Sequence, residues 1–323
     1  MNHISEIKTA AVVGSGYMGG GIAQVMAMAG IPVNLADASP ELTVTNLERL
    51  NKEAAEFEAE GLFPAGSADR IRENLSAAES IEDAVRSVDY IAEAVPEVPA
   101  IKQDVHSRID AAKRPEAIVG SNTSTIQIES MAPAFADAST FLGVHFSNPS
   151  PFIPGVEIIA HPGTDENVIA TVENFVSAVG KVGARIKDNA GFVLNRLQYV
   201  LLKESIEIVE EGIATAEDVD KIVSTTFGFR TPFFGPFVIA DMAGLDVYKF
   251  CFAQLEEHFG DKMKTPKMLT DLVDAGKLGT KSGGGFTDLT AEQTAELIAY
   301  RNKAYARLSQ LIAELGPPPT AAR

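Results

Sequence analysis

Apolar residues in the first 187 positions fall into short unbroken runs set between longer stretches of mixed character. The run at 9–13 stops at Gly14, residues 19–29 make a small-residue helix closed by Gly30, and a second run at 32–36 ends at Asp37. A run too short for a helix and apolar at every position is what a strand covered on both faces looks like. This strand, helix and strand span about 30 residues, the length at which a parallel crossover becomes possible. Helical segments at 41–60, 70–75, 100–112 and 166–179 then alternate with strand-like runs at 88–92, 117–120, 141–146, 156–159 and 182–186. Such alternation predicts an α/β fold with a doubly wound sheet. After Lys187 the character changes: Leu194, Leu197, Leu201 and Ile208 recur at helical spacing up to Gly212, and further helical segments follow. An α/β domain over 1–187 and an all-α domain over 188–323 are expected. No internal repeat is visible, and 279–285 and 317–319 read as the loosest stretches.

The first strand, turn and helix carry chemistry. Gly14-Ser15-Gly16-Tyr17-Met18-Gly19 fits G-x-G-x-x-G, a pattern that means little alone and more after a strand and before a helix. There Gly14 can make the tight turn, Gly16 can let backbone approach a pyrophosphate, and Gly19 can pack closely. Tyr17 and Met18 fall inside the same cofactor-binding turn. Asp37, ending the second strand, can accept from both ribose hydroxyls and would repel a 2′-phosphate, so NAD is expected over NADP. The plainer alternatives are a permissive glycine turn and a strand-end cap within Asp37-Ala38-Ser39-Pro40.

Composition narrows the function classes. The 323 residues are 46% apolar and 22% charged, enough for two ordinary cores. A formal charge of −17 and a pI of about 4.7 argue against nucleic acid or an anionic membrane surface as partner. An anionic cofactor is still admissible, because backbone N–H groups at a helix N-terminus bind pyrophosphate locally. Cys251 is the single cysteine, so no disulfide can form within the chain. The opening residues hold too short an apolar run for a signal peptide, and nothing approaches the roughly 20 apolar residues of a membrane span. A cytoplasmic protein is expected, and no metal site is assigned.

Five later segments, at 93–102, 121–124, 145–149 (His-Phe-Ser-Asn-Pro), 155–158 and 191–196 (Gly-Phe-Val-Leu-Asn-Arg), carry a more specific signal through their order and spacing. With the glycine motif they make the chain, from about residue 8 to about 287, resemble the 3-hydroxyacyl-CoA dehydrogenases. The resemblance implies an N-terminal Rossmann-type domain, a helical C-terminal domain that forms a homodimer, and an active site in the cleft between. It implies His145 as catalytic base, Glu157 as its partner, Ser124 and Asn195 as polar contacts to the substrate oxygen, and Glu97 and Lys102 beside the cofactor. Asn122 and Asn148 organise the same loops around cofactor, base and substrate. Such residues suit the reaction: a hydride leaves a carbinol carbon only as the hydroxyl proton departs, histidine takes a proton near neutral pH, and a carboxylate fixes its tautomer. Taken singly, each would pass as a strand-end histidine, a loop serine or a helix cap; the common spacing sets them apart.

The chain also departs from the family. Ser147 stands where His-Phe-Phe-Asn-Pro is common, and Ile153-Pro154-Gly155-Val156-Glu157-Ile158 replaces Met-x-Leu-Val-Glu-Val. Residues 48–74 hold seven acidic and four basic side chains, a poor clamp for CoA phosphates. The segment 227–236 is longer than the short turn of common acyl-CoA enzymes and resembles the branch acting on free hydroxy acids, including gulonate dehydrogenase, lambda-crystallin and a pyridine-carboxylate dehydrogenase. Its Arg230 can bind a carboxylate bidentately between Phe229, Phe233 and Phe234, or else be an exposed helix-end arginine. The expected substrate is a carboxylate-bearing hydroxy compound, with L-3-hydroxyacyl-CoA as the enzymatic alternative and a non-catalytic, crystallin-like NAD binder as the alternative of another class.

Overall fold

In a computed structural model, which describes residues 6–319, eight strands form one sheet in the order β3-β2-β1-β4-β5-β6-β7-β8. They are β1 (Ala10–Val13), β2 (Val33–Ala36), β3 (Leu75–Ala77), β4 (Tyr90–Glu93), β5 (Ile118–Ser121), β6 (Phe141–Phe146), β7 (Gly155–Ala160) and β8 (Val182–Lys187). All neighbours pair parallel except β6 and β7. The first six strands have the Rossmann order, whose reversal between β1 and β4 opens a crevice at the strands' carboxyl ends. The opening residues read above for a targeting signal lie partly outside the described residues.

The unbroken apolar runs are explained by cover on both faces. Ala10 and Val12 of β1 enter one core cluster with α1 (Tyr17–Met28), α2 (Pro40–Ala59), α3 (Ser67–Asn74) and, farther along, α7 (Glu166–Ala178). Ala11 and Val13 enter the other, with α4 (Ile81–Val85), α5 (Pro99–Ala112) and α6 (Ile128–Met131). Two expectations need correction. The helix expected to include Leu75 ends at Asn74, and Leu75 opens β3, whose three residues are too few to show a period. The stretch 279–285, expected to be loose, is held by buried Asp241: its carboxylate accepts from Phe286 N at 2.9 Å and Thr287 N at 3.0 Å, and a Cβ on Gly285 would come 2.0 Å from Asp241 Oδ1.

The chain divides into two compact units, Met1–Leu201 and Leu202–Arg323. α8 (Leu194–Glu210) begins in the first. The second is helical: α9 (Ala216–Thr225), α10 (Phe227–Arg230), α11 (Pro236–Ala243), α12 (Leu245–Phe259), α13 (Lys267–Asp274) and α14 (Ala291–Leu315). No helix among the described residues is long and apolar enough to cross a membrane.

Candidate active site

The first unit carries a cleft of about 1430 Å³ along the carboxyl ends of its strands. Gly14, Gly16, Met18 and Asp37 line one stretch of it, and Ser124, His145, Asn148 and Asn195 another. Its volume exceeds the 300–1,000 Å³ or so of a pocket for one small molecule, as a dinucleotide plus substrate requires.

The glycine turn is shaped by contact. Gly14 has φ +94°, and a Cβ there would lie 2.7 Å from the carbonyl of Ala94; a Cβ on Gly19 would lie 1.8 Å from the Gly14 oxygen. At Gly16, by contrast, a Cβ would meet nothing within 4 Å. α1 starts there without a side-chain cap, so its first amides are open to an anion, and the residues fit a dinucleotide's pyrophosphate. Asp37 is already oriented: its Oδ2 accepts from Ser15 N and Ser15 Oγ, both at 2.7 Å, and its Oδ1 from Ala38 N at 2.8 Å.

His145 and Glu157 are brought together by strand register. β6 and β7 run antiparallel with His145 opposite Glu157, so the two side chains share a face. His145 Nδ1 stands 2.8 Å from Glu157 Oε2. An ionised carboxylate only accepts, so Nδ1 carries the proton and Nε2 is left as the acceptor. The other oxygen, Oε1, accepts from Val193 N and Leu194 N, both at 2.9 Å, at the start of α8. Those amides are aimed by two successive left-handed residues, Gly191 (φ +74°) and Phe192 (φ +50°). The Phe192 side chain is buried, its ring 6.0 Å from that of His145. Burial pushes the Glu157 carboxyl up, but the hydrogen bonds from His145 and the two amides outweigh it and hold the group below its usual range.

Ser124 and Asn195 meet: Asn195 Nδ2 donates to the Ser124 carbonyl at 2.8 Å, leaving the Ser124 hydroxyl free of that contact. Asn122 Oδ1 accepts from Phe146 N at 2.8 Å, pinning the residue after His145. Glu97 lines the cleft, whereas Gly19, Glu157 and Lys102 are buried outside its lining and Tyr17, also outside it, is exposed. Lys102 is buried, and its ammonium donates to Glu93 Oε1 at 2.7 Å and lies 3.4 Å from Glu97 Oε2. Sequence reasoning passed over Glu93, whose signal was a lone acid ending an otherwise apolar strand. Arg230 belongs to the second unit, where Nε donates to Thr226 O at 3.4 Å and no acidic partner is found among the described residues. Phe229, Phe233 and Phe234 pack there against Tyr300 and Tyr305.

Residues 9–189 match the family model of the 3-hydroxyacyl-CoA dehydrogenase NAD binding domain, and 191–289 match that of the C-terminal domain. The chain belongs to the 3-hydroxyacyl-CoA dehydrogenase family. The match makes it an NAD-dependent oxidoreductase, in line with the glycine turn and Asp37. A 5-formyl-3-hydroxy-2-methylpyridine 4-carboxylate 5-dehydrogenase of Mesorhizobium japonicum is 34% identical over 297 residues, 91% of this chain and 95% of that one. A 3-hydroxybutyryl-CoA dehydrogenase of Mycobacterium tuberculosis is 36% identical over 87% of this chain and 98% of its own length. The crystal structure of a 3-hydroxyacyl-CoA dehydrogenase from Archaeoglobus fulgidus superposes with a TM-score of 0.76 at 30% identity, covering 96% and 99% of the two chains. Relatives of both substrate kinds therefore span nearly the whole chain.

Proposed function

We propose that this protein oxidises a secondary alcohol that bears a free carboxylate, passing the hydride to NAD. The observation that carries the chemistry is the His145–Glu157 pair at the cleft, with Nδ1 protonated and Nε2 free to accept. NAD, when bound on the glycine turn with its ribose at Asp37, supplies the hydride acceptor. His145 Nε2 takes the hydroxyl proton, and Glu157 stabilises the imidazolium that results. Ser124 and Asn195 orient the reacting oxygen, and Asn148 bounds the substrate. The retained acid–base geometry favours this over a non-catalytic role.

The carboxylate preference rests on Arg230, a guanidinium without an acidic partner among the described residues, and on the acidic balance of 48–74. The named 3-hydroxybutyryl-CoA relative is the specific observation on the other side. Following NADH absorbance with 3-hydroxybutyryl-CoA against a set of free hydroxy acids decides between them: faster turnover of the free acids is expected, and preference for the thioester would overturn that choice. Absence of NADH formation from any of these alcohols would count against the enzyme reading as a whole. We further propose a cytoplasmic homodimer, supported by a lone cysteine and by exposed apolar side chains on the second unit.

A further inference from the structure

We propose that Glu93 is the positioning residue for the cleft wall that carries Ser124. Glu93 ends β4 with no exposure, and its carboxylate is filled on four sides. Oε1 accepts from Lys102 Nζ at 2.7 Å and Val95 N at 2.9 Å; Oε2 accepts from Ser121 Oγ at 2.6 Å and His106 Nε2 at 2.8 Å. Its backbone carbonyl accepts from Asn122 N at 2.7 Å. One residue thereby ties β4, α5 and the end of β5.

The bonds continue toward the cleft. Lys102 bridges to Glu97, whose Oε1 accepts from Thr123 Oγ1 at 2.6 Å, Ser124 N at 2.9 Å and Thr125 N at 3.0 Å. Val95, Glu97, Asn122 and Ser124 line the cleft, while Glu93 and Lys102 do not. A buried ion pair is commonly no more stabilising than apolar side chains of its size, so the contribution of this one is geometric: it holds both strand ends and the 123–125 turn in a single arrangement. The far end of the network is closed, since His106 Nδ1 has no partner and its ring packs against Phe135 and Phe141. Removing that end should leave the cleft wall in place.

The inference rests on the proposed chemistry only through the role of Ser124, and one of its tests needs no turnover. The test compares Glu93→Gln, the charge-balanced double variant Glu93→Gln/Lys102→Met, and His106→Phe. In both Glu93 variants, hydrogen exchange of the amides at 123–125 should rise roughly tenfold or more while those of β1 and β2 stay protected, and kcat should fall by roughly tenfold or more. His106→Phe should change neither by more than about threefold. If Glu93 served only to balance the buried lysine, the double variant would behave as wild type, and the proposal would be overturned. Loosening throughout the sheet, or an equal loss in His106→Phe, would overturn it too. A wild type without dehydrogenase activity would end the functional reading, and the exchange at 123–125 would still decide the role of Glu93.

Discussion

The two units are held together by different means. In the first, apolar residues on both sheet faces build two large clusters, and the charges that enter them are met at close range, as Glu93 is by Lys102 and His106. In the second, the buried apolar cluster is Ala240, Leu245 and Leu269, and ion pairs lie on its surface, such as Lys262 with Glu204 and Glu207 and Lys277 with Asp288. Ile213 and Phe250 are each 66% exposed there. A region that buries this little apolar surface gains little from the hydrophobic effect alone. The contrast teaches a division of labour: the first unit fixes its buried polar side chains through packed apolar clusters on both sheet faces, and the second leaves apolar side chains such as Ile213 and Phe250 on its surface.

The sharpest way to break this picture is His145→Gln. It should lower kcat by a factor of roughly 10² to 10⁴ while leaving NAD affinity near normal, because only the proton acceptor is lost. Near-normal turnover would remove the first unit's pair from the mechanism. Glu157→Gln should slow turnover by roughly tenfold or more and move the rise of the oxidation rate to lower pH, since the imidazolium loses its anionic partner. An unmoved pH profile would dissolve the pair.

Arg230→Ala probes the second unit. For a free carboxylate substrate it removes a charge-assisted contact of roughly 1.5–3 kcal/mol, and KM should rise by about 10- to 150-fold. An unchanged KM, with efficient oxidation of 3-hydroxybutyryl-CoA, would favour the acyl-CoA branch instead. Asp37→Ala should erode an NAD preference of roughly tenfold or more, because one change removes both an acceptor and a repulsive charge. Equal efficiency with NADP in the wild type would defeat it beforehand.

Smaller effects separate the units by acid and by mass. Burial pushes up the carboxyls of Asp89, Glu93, Glu97 and Glu157, but their hydrogen bonds and neighbouring cations more than reverse it, leaving all four below their ordinary values. Carboxyls depressed in the fold add stability above their unfolded value, near 4, and lose it as the pH falls toward their folded values. From pH 5 to pH 3, hydrogen exchange should therefore accelerate first in the strands of the first unit; earlier loosening of α9 to α14 would contradict this. Leu202, Ile206 and Val209 make an exposed stripe on α8. Ile206→Glu should weaken self-association roughly tenfold in sedimentation; a wild type that is monomeric at micromolar concentration would leave the stripe without its partner.

Most of the first unit was legible because strands buried on both faces leave apolar runs that no surface segment imitates. β3 was not, since Leu75-Ser76-Ala77 is too short to have a period. Within the site, the glycine turn, Asp37, His145 and Glu157 could be named from order and spacing. What could not be seen was which groups spend their hydrogen bonds on one another. Lys102 looked available to a ligand, yet its ammonium is committed to two carboxylates. Glu93 looked like a strand end, and the four donors that surround it come from positions 95, 102, 106 and 121. Beyond the 227–236 segment the second unit showed little but helical spacing, and the buried Asp241 that organises its glycine-rich loop lies about 40 positions away.

The pairing of His145 with Glu157 by strand register has an evolutionary consequence. A shift of one residue would turn Glu157 to the opposite face, so the pair is kept or lost as a whole. The connection from 147 to 154 is held differently: Lys181 Nζ donates to the carbonyls of Ser150, Pro151 and Ile153, and the segment delivers the side chains of Ser147, Asn148 and Ile153 to the cleft. Surface connections tolerate substitution and changes of length far better than ladders do. Side chains at 147, 148 and 153 can therefore be exchanged to reshape this wall of the cleft while the two strands beneath keep His145 opposite Glu157.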